Sequence, residues 1–299
     1  MNELVTTYEP DNAIKQGMDV PKEKMESNIV KIIKPKRGIF DLNLKEVWEY
    51  RELLYFLAWK DIKVRYAQTV LGAAWAIIQP LFTMIVFTVV FGMIAKIPSD
   101  NVPYPIFAYS GLLLWTYFSG SISRASNSLL SNSNLLSKVY FPRLLLPLSA
   151  CLVGLVDYAI ASFFLVALMF YYNIFPTLLI ILIPLLLLMS FLLAAGGGMW
   201  ISALSVKYRD VQRGFSFFMQ ILLYATPIIY PISVISGKYN WILQLNPLTG
   251  IIVTHRAVIL GNVAIDWISL GISAIFIVLI FISGLIYFKS YERKFADVI

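Results

Sequence analysis

Charge is scarce in this 299-residue sequence: only 14% of residues are Asp, Glu, Lys or Arg, and five stretches (66–95, 101–123, 158–206, 214–237 and 267–288) carry none. Cysteine occurs once, at Cys151, which excludes an intramolecular disulfide and any multi-cysteine metal site. Histidine also occurs once, at His255, with no second histidine or cysteine nearby to share a metal, so no zinc site is expected. No GxxxxGK[ST] phosphate loop is present, and the chain cannot bind and hydrolyse ATP in the Walker manner by itself. Gly196-Gly197-Gly198 lacks the lysine and reads as a site of close helix packing. Beyond Asp61 the acids are Asp100, Asp157, Asp210 and Asp266, then Glu292 and Asp297 in the tail. No two of them pair within the apolar stretches, so glycosidase-type acid–base chemistry has no carrier and no catalytic residue is named. The first forty residues hold no apolar h-region, so a cleavable signal peptide is not expected.

What fills the sequence is apolar: 59% hydrophobic residues and a mean hydropathy of +0.75. A water-soluble core cannot hide that much apolar surface. Each charge-free stretch is long enough for a membrane span of roughly 20 residues. The stretch 158–206 is too long for one crossing, and it turns at Tyr171-Tyr172-Asn173-Ile174-Phe175-Pro176, where interfacial aromatics, an asparagine and a helix-breaking proline coincide. The reading is an all-α membrane protein with six spans, at about 70–94, 105–124, 143–171, 177–204, 214–235 and 265–288. With the N-terminus inside, 21 of the 24 Lys and Arg residues lie in cytoplasmic segments, and only Lys96, Lys238 and Arg256 do not. Both termini are therefore expected in the cytoplasm. The net charge of +7 follows from this topology and from anionic lipid at the inner leaflet, and implies no nucleic-acid partner.

Residues 1–43 are polar and punctuated by Pro10, Pro21 and Pro35, as in a flexible cytoplasmic tail. Residues 44–64 read as an amphipathic helix at the inner interface, with Leu44, Val47, Trp48, Leu54, Tyr55 and Ala58 near one face. An ordinary amphipathic helix packed on another subunit fits the same pattern. Residues 65–299 form the six-helix domain. The polar segment 126–143 reads as a helix end followed by a short amphipathic turn stopped by Pro142. In the outer segment 231–266, Trp241 to Leu245 and Ile251 to Thr254 are too apolar for a solvated loop and too short to span, so they read as re-entrant or interfacial helices broken at Asn246-Pro247.

Asp157 is the unusual residue. A carboxyl in the middle of a span is costly and is a functional hypothesis by default. It could line a polar pathway, carry protons, or hydrogen-bond a neighbouring helix. Aromatics are plentiful, and an inward-facing minority from Tyr66, Trp75, Tyr109, Trp115, Tyr117 and Phe118 could stack on sugar rings.

Several motifs carry a resemblance. Arg65-Tyr66-x-x-Thr69-x-Leu71-Gly72-x-x-Trp75 leads to Gln79-Pro80-Leu81, and Gly111-Leu112-Leu113-Leu114-Trp115-x-Tyr117-Phe118 follows. Then come Lys138-Val139-Tyr140-Phe141-Pro142-Arg143 with Leu146-Pro147-Leu148, Tyr208-Arg209-Asp210-Val211, Pro227-x-x-Tyr230-Pro231, and Asn246-Pro247-Leu248-Thr249-Gly250 with Arg256. Together, in this order from about residue 45 onward, they resemble the polysaccharide and polyol-phosphate exporter branch of the type-two ABC permeases.

The resemblance implies a homodimer of six-span permeases bound to two copies of a separate ATPase subunit, which would hold the ATP and Mg while this chain holds no cofactor. It places ATPase coupling at Asn134, Leu135, Leu136, Lys138, Tyr140, Phe141, Pro142 and Arg143. It places an outer gate around Tyr230, Pro231, Trp241, Asn246, Pro247 and Arg256. The cargo would be a polysaccharide on a polyprenyl diphosphate lipid, crossing the bacterial inner membrane: O-antigen first, with capsule and teichoic acid sharing these features. A permease of the same superfamily exporting a drug or small lipid is the nearest alternative. A proton-coupled secondary transporter would rest on Asp157.

Overall fold

The computed structural model describes residues 44–67, 71–136, 138–208, 210–234, 240–261 and 263–292, and every regular element among them is helical. The expected tail at 1–43 lies outside the described residues, as do Thr69, Arg209 and Lys238. Two helices come first, α1 (Leu44–Glu49) and α2 (Arg51–Tyr66). Along α2 the rings of Tyr55 and Trp59 stack four residues apart on the exposed face, while Leu57 and Ala58 are buried.

A short 3-10 turn, Gly72–Ala74, opens α3 (Trp75–Phe87), whose ladder is interrupted by Pro80 and which continues as a π-helical stretch, Thr88–Ile94. Next is α4 (Tyr104–Ser131), followed by the four-residue α5 (Ser133–Leu136). The helix α6 (Leu145–Tyr172) stops where Asn173 takes the left-handed conformation at φ 53°, so the reversal falls inside the aromatic Asn-Pro segment of the sequence. A 3-10 turn, Leu178–Leu182, then leads into α7 (Ile183–Lys207), which is followed by α8 (Asp210–Ala225). The outer segment holds α9 (Asn240–Gln244) and α10 (Pro247–Leu260), and α11 (Trp267–Glu292) completes the described chain.

By length and composition, four helical stretches among the described residues are long and apolar enough to cross a membrane: Gly72–Ile94, Leu145–Tyr172, Leu178–Lys207 and Trp267–Glu292. The two other expected spans differ from these for separate reasons. At 28 residues α4 is long enough, but it is the packing hub, in contact with α3, α6, α7 and α10, and a helix surrounded by protein need not be as apolar as one facing lipid. Three of its four buried serines return their hydroxyls to their own helix: Ser110 to Phe107 O, Ser126 to Ser123 O and Ser128 to Ala125 O. The fifth expected span, 214–235, is corrected more sharply. The helix there begins earlier, at Asp210, and ends at Ala225, ten residues before the expected end, because Pro227 disfavours helical geometry in the residue before it. Absence of charge marks a segment as apolar; it does not say where a helix stops.

Close approach explains one glycine cluster. A methyl group on Gly196 would press on the backbone of Phe281, and one on Gly284 would press on the backbone of Gly196, so α7 and α11 meet backbone to backbone.

Candidate functional site

Two polar clusters interrupt the apolar packing, and a third group of polar residues lies at the ends of helices. The first cluster centres on Asp157, in the thirteenth position of α6, with its side chain 13% exposed. α4 and α6 run antiparallel, so residues later in α4 meet residues earlier in α6: Tyr109 donates to Ala161 O, Tyr117 stacks edge-on with Tyr158, and Arg124 Nε donates to Ala150 O at 3.2 Å. That register brings Arg124 Nη1 to 3.5 Å from Asp157 Oδ2. The C-terminal turn of α2, packed on α6, adds Arg65 Nη2 at 3.0 Å from the same oxygen, and the Tyr66 hydroxyl donates a short bond to Oδ1. Burial, and then the bond to Asp157, push the Tyr66 phenol up to about 12, so at neutral pH it stays a donor. Arg124 Nη2 also reaches Ser121 Oγ at 3.3 Å. Two guanidinium groups thus share one carboxylate, leaving this group of side chains with a net charge of one positive unit.

Among the described residues the second cluster has no carboxylate within bonding distance of its arginine. Arg256 on α10 is only 5% exposed; Nη1 donates to Pro227 O at 3.1 Å and Nη2 to Ile228 O at 3.0 Å, while its guanidinium carbon lies 3.7 Å from the centre of the Phe107 ring. Tyr104 donates to the next carbonyl, Ile229 O, at 2.8 Å, and Asn246 Nδ2 donates to Thr226 Oγ1 at 2.9 Å. Irregular backbone among apolar helices must have its polar groups satisfied by protein, and Arg256 and Tyr104 do that for three successive carbonyls after the early end of α8, while Asn246 ties the Thr226 side chain. Beside them, His255 Nδ1 lies 3.1 Å from Ser110 O and Nε2 lies 2.8 Å from the Tyr158 hydroxyl. A carbonyl only accepts, so Nδ1 carries a hydrogen, and in the neutral ring that burial favours Nε2 accepts from the Tyr158 hydroxyl. Among the described residues no group of three His, Cys, Asp or Glu side chains could hold a metal ion.

The helix ends between α4 and α6 hold the residues expected to couple to an ATPase. Asn134, Leu135 and Leu136 lie in α5, Tyr140 is 67% exposed, and Phe141 and Pro142 are buried. Leu136, Lys138, Val139, Tyr140, Phe141 and Arg143 line an open cavity of about 230 Å³. Arg143 does not point freely outward: its guanidinium donates to Glu292 O, and its backbone N–H lies 3.4 Å from Glu292 Oε1. Glu292 in turn pairs with Lys289 at 2.9 Å, so this segment is tied to the end of α11.

The profile of the ABC-2 type transporter family matches residues 52–260, more than two thirds of the chain. The chain belongs to the ABC-2 type transporter family. It is 28% identical to the O-antigen export system permease protein RfbA of Myxococcus xanthus, over 86% of this chain and 98% of that protein. It is also 28% identical to the RfbA of Klebsiella pneumoniae, over 83% of this chain and 95% of that one. The polysialic acid transport protein KpsM of Escherichia coli is 21% identical over 78% of this chain and 91% of its own length.

Within this ABC-2 chain the candidate aromatics separate. Tyr109, Trp115, Tyr117 and Phe118 are buried between helices of the chain itself, whereas Trp75 is exposed and Tyr66 sits with Asp157. Of the outer-gate candidates, Asn246 and Arg256 hold the segment after α8, Pro247 begins α10, Pro231 is buried, Tyr230 donates to Tyr224 O at 3.2 Å, and Trp241 is exposed. Sequence reasoning missed Arg124, Tyr104, Tyr158 and Ser110. The one available signal was that a carboxyl inside a span needs a cationic partner, and Arg124 borders the preceding apolar stretch.

Proposed function

We propose that this chain is the transmembrane half of an ATP-binding cassette exporter that moves a lipid-linked polysaccharide, O-antigen in the first instance, across the bacterial inner membrane. The observation that carries the reading is near-complete two-way coverage with permeases named for O-antigen export. Capsule-type cargo is the second reading, favoured by the weaker likeness to a polysialic acid transport protein.

In this reading the chain crosses the bilayer six times with both ends in the cytoplasm. α4 is the inner, protein-surrounded crossing. α8, about 24 Å long at ~1.5 Å per residue, is completed by the segment that Arg256 and Tyr104 hold. Two copies pair, and the exposed apolar faces of α3 and its π-helical continuation (Phe82, Val86, Met93) and of α8 (Phe217, Phe218, Ile221) are covered by lipid or by the second copy. Two ATPase subunits, which bind ATP and Mg, dock at 134–143. Their closing is passed to the spans through α5 and the Arg143–Glu292 tie. The segment 230–256 closes the outer mouth, and the cargo carries a polyprenyl diphosphate. The pairing of Asp157 with two arginines supports a binding or positioning role for that residue over proton carriage.

Deleting the gene tests this. Cells lacking the chain are expected to lose their surface polysaccharide while finished lipid-linked polymer accumulates inside; normal surface polymer would remove the reading.

A further inference from the structure

The side chains of Arg65, Arg124, Asp157 and Tyr66 form a site with more positive than negative charge and an open side, and we propose that it binds a phosphate group carried on a lipid. Asp157 cannot satisfy the two cations that converge on it. Oδ2 receives Arg65 at 3.0 Å and Arg124 at 3.5 Å, and Oδ1 is occupied by the Tyr66 hydroxyl. A guanidinium has five N–H donors. Among the described residues Asp157 is the only hydrogen-bonding or ion-pairing partner of Arg65, which is 39% exposed, so donors remain on a partly open guanidinium. Arg124 is 26% exposed and has three partners, Ala150 O, Ser121 Oγ and Asp157. The donors that these contacts leave over are forked and planar, a geometry suited to a tetrahedral oxyanion, which accepts several such bonds at once.

The position fits a lipid-borne phosphate better than a free one. Arg65 and Tyr66 end a helix whose exposed face carries Tyr55, Phe56 and Trp59, the residue types that settle at headgroup depth. Arg124 lies seven residues before the end of α4, roughly 10 Å along the axis. Asp157 lies twelve residues into α6, roughly 18 Å, so the site reaches from the end of α2 into the crossing helices.

This inference rests on the proposed export of a lipid-linked polymer only for which lipid fills the site; the geometry asks only for a phosphate near lipid. The test uses the full chain purified in a neutral detergent, with lipid binding measured by native mass spectrometry. Three lipids are added in turn: a polyprenyl diphosphate, phosphatidylglycerol and, as the control without net charge, phosphatidylcholine. Retention of the diphosphate alone identifies the carrier lipid as the source. Retention of both anionic lipids identifies a general acidic-headgroup site. Either result supports the proposal, and retention no greater than that of phosphatidylcholine overturns it.

Arg65→Gln and Arg124→Gln are each expected to weaken anionic-lipid binding about tenfold, the weight of one charge-assisted bond. Arg65→Lys recovers part of the loss, and Arg213→Gln, an exposed cation elsewhere, changes nothing. Asp157→Asn separates the proposal from a purely structural ion pair. Removing the competing carboxylate is expected to tighten anionic-lipid binding, whereas a cluster that only fastens α2 to the spans would bind no better, or worse, in that variant. Unchanged anionic-lipid binding in both Arg65→Gln and Arg124→Gln would end this inference and leave the export reading intact.

Discussion

Asp157 and Arg256 each place a full charge among apolar helices, and the chain accommodates them in opposite ways. Asp157 gathers two cations and a phenol from three helices and keeps an open side. Arg256 gathers two carbonyl oxygens and a phenylalanine ring and is sealed. A guanidinium can be held by dipoles and a ring face because its charge is spread over a plane of donors and is weakly hydrated. The sealed site is thus a joint, since both Arg256 hydrogen bonds fix the backbone after α8 and its ring contact ties that backbone to Phe107 on α4, with Nε buried and without a partner among the described residues. The open site retains unused donors, and unused donors are what a ligand needs.

The largest expected effect breaks the joint. Arg256→Met leaves Pro227 O and Ile228 O buried without donors, and at about 1–3 kcal/mol for each orphaned carbonyl the variant should melt well below the parent. Hydrogen exchange at residues 226–230 should rise with little change at Asp157. Equal acceleration at both places would show that the clusters are one cooperative unit.

Next comes Asp157→Ala, which leaves two arginines facing each other and is expected to cost about 2–3 kcal/mol, less than a fully buried pair because Arg65 is partly in solvent. Its partner Asp157→Asn, which keeps an acceptor oxygen, should cost less in the same thermal melts.

A smaller effect comes from Tyr158→Phe. It removes one neutral hydrogen bond to His255, worth about 1 kcal/mol, and should leave anionic-lipid retention unchanged. Reduced retention would mean that the closed cluster supports the open one.

Salt sharpens the contrast most gently. Raising ionic strength from 0.1 to 1 M shortens the Debye length from about 10 to about 3 Å. The Asp157→Ala variant should gain stability relative to the parent, since screening relieves its arginine pair and weakens the parent's attraction. Arg256→Met should keep the same deficit at both ionic strengths.

Much of this arrangement was legible in the sequence. Charge-free stretches located the apolar helices, and the asparagine before Ile174 located a reversal. Asp157 was conspicuous because a carboxylate stands out in a run of apolar residues. Its partners were not, because Tyr66 lies 91 residues away and Arg124 lies 33 away. Pairing across helices depends on antiparallel register, which periodicity along one strand of sequence does not contain. The burial of Tyr109, Trp115, Tyr117 and Phe118 was hidden for the same reason: an aromatic that faces a neighbouring helix looks in sequence like one that faces a pathway. The length of α8 was written in the sequence at Pro227, and charge alone was the wrong guide to it.

Transport itself gives the most direct test. The chain, reconstituted in vesicles with its ATPase subunit, is given polyprenyl-diphosphate-linked polysaccharide on the side that carries the ATPase. On adding ATP and Mg the polymer should become protected from an added glycosidase, and it should stay exposed without ATP or without this chain. Polymer that remains fully digestible under ATP turnover, or that crosses equally well in vesicles lacking the chain, would contradict the account.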